Sequence, residues 1–79
     1  MDIKTLITVD NDILGGQPVF AGTRVPVESL FDHLEAGISL DDFLDDFPTV
    51  TKEQAIAVLE TANKFLTSKN VEQLYAVVA

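Results

Sequence analysis

From residue 26 onward, apolar side chains recur at helical spacing. Val27, Leu30, Phe31 and Leu34 fall at i, i+3, i+4 and i+7, one stripe along a helix that Pro26 opens and Gly37 stops. Leu40, Phe43, Leu44 and Phe47 repeat the stripe in a second helix. Ser39 caps it, with Asp42 three positions on in the manner of a capping box, and Pro48 ends it. Thr51 caps a third helix and Gln54 closes its box. Ile56, Leu59, Ala62 and Leu66 carry the third stripe, widened by Ala55, Val58 and Phe65. Before residue 26 the pattern changes. Residues 6–9, LITV, read as a short strand, the DND run at 10–12 as a turn, and Ile13 and Leu14 as a second extended piece. Pro18-Val19-Phe20 reads as a further strand, with Pro18 suited to an edge, and Ala21-Gly22-Thr23 turns the chain. Ser68-Lys69-Asn70 is a stop, and VEQLYAVVA fits a short helix or a strand.

These spacings predict a mainly α fold, a three-helix bundle with a short N-terminal β arm or hairpin. The second and third helices have the lengths and tight turn of a helix-turn-helix. The expected division is a β arm over 1–24, the trihelical bundle over 25–67 and a C-terminal tail over 68–79, within one domain.

Length and charge narrow the picture. With 79 residues the chain buries about 60–65% of its unfolded surface, a marginal core that dimerisation commonly supports. No cysteine is present, which removes disulfides and thiolate chemistry and suits a cytoplasmic protein. The start, MDIKTLITVD, has no apolar run of signal-peptide length, and no stretch approaches a membrane span. Thirteen acids against five bases leave a net charge of −8, which opposes non-specific nucleic-acid affinity and favours a basic protein partner.

The densest punctuation is GGQPVFAGTRVPV, residues 15–27, which holds three of four glycines, two of three prolines and the only arginine. This stretch, with LEAGISLDDFLDDFPTVTKEQAIAVLETA after it, closely resembles the bacterial family of domains of unknown function numbered 433. The likeness runs from about Asp10 to Ala62, and its most specific part is Gly-Thr-Arg, a hydrophobic residue, then Pro-Val. The resemblance implies a homeodomain-like trihelical fold. It also implies an antitoxin of the VapB kind, encoded beside a PIN-like nuclease toxin. Many such antitoxins place an arginine-bearing tail in the toxin. Here the tail has Lys69, no arginine and an apolar end, LYAVVA, so docking through that end (Leu74, Tyr75) or through the β arm is expected instead.

The individual residues sort into three groups. Gly16, Pro18, Gly22, Thr23, Arg24, Pro26, Gly37 and Pro48 are read chiefly as structural joints. Arg24 either bridges to Glu28 or Asp12, or meets a phosphate or a partner carboxylate. Asp41, Asp42, Asp45 and Asp46 form like-charge i,i+4 pairs on a solvated face, a broken local rule that hints at a basic partner. Between Arg24 and Lys52 stand seven acids and no Lys or Arg, so this side repels DNA. Arg24, Thr51, Lys52, Gln54, Thr61 and Lys64 are the candidates for DNA contact from the third helix and its approach.

Other chemistry is poorly supported. His33 is alone and makes no metal site. Asp10-Asn11-Asp12 fails as a calcium loop, because Leu14 and Ala21 occupy ligand positions. No base is placed for Ser29, Ser39 or Ser68. The expectation is a non-enzymatic antitoxin-type module without metal, cofactor or small-molecule substrate, acting as a homodimer on a PIN-like nuclease and on its own promoter. The alternatives are a DNA-binding regulator without a toxin, or a structural homo-oligomer paired through an open strand edge.

Overall fold

The computed structural model describes residues 3–68. One helical turn, α1 (Ile3–Leu6), leads into strand β1 (Ile7–Thr8), and a 3₁₀ turn (Leu14–Gly16) precedes strand β2 (Val19–Phe20). Three helices follow, α2 (Val27–Glu35), α3 (Leu40–Asp46) and α4 (Lys52–Leu66). The fold is mainly helical with a small antiparallel hairpin. Among the described residues, no helix is long and apolar enough to cross a membrane.

The helix boundaries follow local chemistry. Pro26 is the residue before α2. At the far end Gly37, at φ +81°, donates to the Leu34 carbonyl while Ile38 donates to that of His33. These are the paired bonds of a left-handed glycine stop. Ser39 Oγ accepts from the Asp42 N–H at 3.1 Å, the forward half of the expected box. An aspartate is one carbon shorter than the Glu or Gln that completes the return bond. Thr51 and Gln54 make both halves. The Gln54 N–H donates to Thr51 Oγ1 at 3.1 Å, and the Thr51 N–H donates to Gln54 Oε1 at 3.0 Å.

The N-terminal segment departs from expectation. The strand expected over 6–9 is confined to Ile7–Thr8, and Leu6 instead ends the helical turn α1, which packs against α4, a tertiary contact that overrides local β preference. Ile13 is extended as expected, but Leu14 is left-handed at φ +49° inside the 3₁₀ turn. The strands pair Ile7 with Phe20 and Thr8 with Val19. On the other side of β2, the Phe20 N–H donates to the Val25 carbonyl and the Val27 N–H to that of Pro18, both at 3.0 Å. The segment does not project as an arm. Leu6, Val19 and Phe20 are fully buried, and Leu6 and Phe20 share one cluster with Leu30, Phe43, Val50, Ala55 and Val58.

The stripe of α4 is also rotated. Ala55 and Val58 face the core, while Ile56 is 40% exposed, Phe65 53% and Leu66 59%. At 15 residues α4 outruns its partners, since α2 has nine and α3 seven, so its last turn passes the end of the core. Val50 is buried in the α3–α4 connection, a position outside any helical stripe. His33 lies wedged edge-on between Phe43 and Phe47, at centroid distances of 5.2 and 5.5 Å. Its Nδ1 lies 2.7 Å from the Ser29 carbonyl, an acceptor only, so that nitrogen carries the ring proton.

Truncating Phe20→Ala is expected to cost about 3–5 kcal/mol, enough to unfold a domain this small. Chemical denaturation followed by circular dichroism measures it, and a cooperative transition at unchanged midpoint contradicts this account of the core.

Candidate functional site

The signature Gly22-Thr23-Arg24 sits on a tight turn closing β2. The Thr23 N–H donates to the Phe20 carbonyl at 3.0 Å, with Gly22 at the third position at φ +77°. A type II turn needs a positive φ there, hence glycine. Thr23 locks the next step, because its hydroxyl donates to the Phe20 carbonyl at 2.8 Å and accepts from the Val25 N–H at 3.0 Å. The turn is tied to the helices by Gln54, whose Nε2 donates to the Ala21 carbonyl at 2.9 Å across 33 residues.

Arg24 takes no part in this joint. It is exposed and makes no ion pair with Glu28 or Asp12. Glu28 instead accepts from Gln17 Nε2 at 3.3 Å, and the Asp12 N–H donates to Asp10 Oδ1. The remaining joint residues stand where the chain changes direction. The Gly16 N–H donates to the Ile13 carbonyl, Pro18 leads into β2, Pro26 bridges to Val19 as well as preceding α2, and Pro48 follows α3.

The residues considered for DNA contact divide by how much of their polar chemistry is free. Thr51 and Gln54 are spent on the cap, and Gln54 also on Ala21. The Thr61 hydroxyl donates to the Ala57 carbonyl at 2.7 Å. Lys52 Nζ lies 3.9 Å from Asp41 Oδ1, an exposed pair of small worth. Lys64 is exposed farther along α4, and the fold brings the start of that helix, not its end, against the signature turn.

The acidic residues of α2 and α3 are exposed throughout. Glu28, Asp32, Glu35, Asp41, Asp42, Asp45 and Asp46 are all exposed, and α2 packs directly on α3. Asp46 lies 3.8 Å from His33 Nε2. Among the described residues, Asp42 and Asp45 have no cation within salt-bridge distance. Among the same residues, no group of three or more His, Cys, Asp or Glu is gathered to hold a metal ion. Leu74 and Tyr75 lie outside the described residues.

Sequence reasoning missed the second role of Gln54 and left Arg24 open between an internal bridge and an outside partner. A capping glutamine carries a spare amide N–H₂, which was the available signal for the first. For the second there was none, since partners of an exposed arginine are set by tertiary placement.

Removing the Thr23 hydroxyl as Thr23→Val is expected to cost about 1–3 kcal/mol, because the Val25 N–H loses its acceptor. Arg24→Ala is expected to stay within about 0.5 kcal/mol of the parent. Urea titration of both variants tests the contrast, and an equal loss in Arg24→Ala returns the arginine to the joint.

A family model described as "Protein of unknown function (DUF433)" matches residues 7–62, from β1 through most of α4, and the chain belongs to this family. A curated relative, the uncharacterized protein y4eO of Sinorhizobium fredii (strain NBRC 101917 / NGR234), is 39% identical over 51 residues. That alignment covers 65% of this chain and 23% of the relative, so the chain spans about a quarter of the relative's length. No solved structure matches the chain.

Proposed function

We propose that this member of the DUF433 family is a non-enzymatic, antitoxin-type protein-binding module of the VapB kind, whose partner is a PIN-like nuclease. The observation that carries the reading is the acidic α2–α3 layer, with seven exposed carboxylates and no Lys or Arg between Arg24 and Lys52. A nuclease that holds RNA presents cationic surface to phosphates. An acidic helical face complements that surface and masks it sterically. The like-charge pairs Asp41–Asp45 and Asp42–Asp46 each cost a few tenths of a kcal/mol in the free helix, about 0.2–0.5 by analogy with favourable pairs, and a basic partner relieves them. In this reading α2, α3 and α4 form a homeodomain-like trihelical unit in the cytoplasm, dimeric when it acts.

A second reading, a DNA-binding regulator, draws support from the α3–turn–α4 succession, with five residues between the two helices. Against it stand the charge of −8 and the commitment of Thr51, Gln54 and Thr61 to the fold. Both readings meet in an antitoxin that represses its own promoter.

The test pairs the purified chain with the PIN-like nuclease encoded beside its gene. Co-expression is expected to relieve that nuclease's toxicity, and the double variant Asp45→Asn, Asp46→Asn to weaken binding about tenfold or more, most strongly at low salt. Calorimetric titration that finds no complex, or one indifferent to the two aspartates, overturns the reading. Fluorescence anisotropy on upstream DNA decides the second, which requires sequence-specific binding with a steep salt slope.

A further inference from the structure

The signature turn borders a cleft of about 660 Å³ whose lining includes Thr8, Ile13, Arg24, Val25 and Thr49. The backbone on either side of Arg24 is pinned. Thr23 is held by its N–H and hydroxyl to Phe20, and Val25 by its N–H to Thr23 and its carbonyl to Phe20. The guanidinium between them is unengaged: among the described residues it has no hydrogen bond and no ion pair. The hydroxyls of Thr8 and Thr49 likewise donate to no group among those residues. Arg24, with its five-donor guanidinium, and Thr8 and Thr49, with unspent hydroxyls, therefore line one cleft together with Ile13 and Val25. The volume lies in the range of ligand clefts, and one cation beside apolar side chains offers a charged contact next to an apolar one.

We infer that this cleft is a carboxylate-recognition site for an acidic peptide segment of a partner protein. An Asp or Glu side chain pairs in two-pronged fashion with Arg24, and the apolar residue beside it packs on Ile13 and Val25. A nucleic-acid phosphate is the poorer match. Phosphate tracking needs several cations along a path, and this cleft holds one, on a chain of net charge −8. The assignment goes beyond the acidic-face reading and does not rest on it, since it concerns a site of opposite charge on the turn.

The test uses the isotope-labelled full chain, with amide and arginine side-chain resonances followed by nuclear magnetic resonance at about 150 mM salt. The probes are acetyl-Leu-Glu-Leu-amide, its neutral counterpart acetyl-Leu-Gln-Leu-amide, and a short DNA duplex. Saturable shifts at Thr8, Arg24, Val25 and Thr49 are expected with the glutamate peptide. They should be at least about fivefold weaker with the glutamine peptide and in Arg24→Ala. Arg24→Lys, which keeps the charge and loses the fork, should fall between, and it carries the test should the alanine variant not fold. No saturable shift below about 10 mM peptide overturns the assignment. So does equal binding by the glutamine peptide or by the folded Arg24 variants, or tighter binding of DNA through the same resonances.

Discussion

The burial of Phe20 is the contact on which the rest of this structure depends. Helices of nine, seven and fifteen residues are too short to enclose a core alone, and the hairpin supplies what they lack. The ring of Phe20 lies 6.2 Å from that of Phe43, whose own neighbour is Phe47 at 5.0 Å. Its backbone serves the surface at the same time. The Phe20 carbonyl accepts from both the N–H and the hydroxyl of Thr23, and its N–H reaches Val25. One residue thus couples the apolar interior to the turn that presents Arg24.

That coupling explains why the glycine- and proline-rich stretch is so constrained. Gly22 supplies the positive φ, Thr23 closes the turn, and Gln54 bolts it to the start of α4. Thr23 and Gln54 spend their side-chain polar atoms on the fold. The Arg24 side chain pairs with none of the described residues, so this hydrogen-bonded turn displays a guanidinium that they do not use.

Charge is segregated on the same frame. The α2–α3 layer carries exposed carboxylates, and among the described residues only Lys52 and His33 lie close to any of the α3 aspartates. The cleft beside the signature turn carries a lone guanidinium and hydroxyls. Stability asks for neither arrangement, because exposed ion pairs contribute little and like charges along α3 cost a little. Surfaces that oppose local preference in this way are where recognition is expected.

Much of this was legible from the residues themselves. The starts and stops of the three main helices came from Pro26, Gly37, Ser39 and the Thr51–Gln54 box, because caps act within a few residues of chain. The acidic face followed from composition and helical spacing alone. The hairpin's place in the core, the rotation of α4 toward Ala55 and Val58, and the second bond of Gln54 did not. Each depends on a partner far away in sequence, and a short apolar run reads the same whether it becomes a strand, a helical turn or a wall of the core. Sequence alone therefore determined the elements and the sign of the surface. Only the tertiary structure decided which residues are spent in holding those elements together and that Arg24 makes no bridge to Glu28 or Asp12.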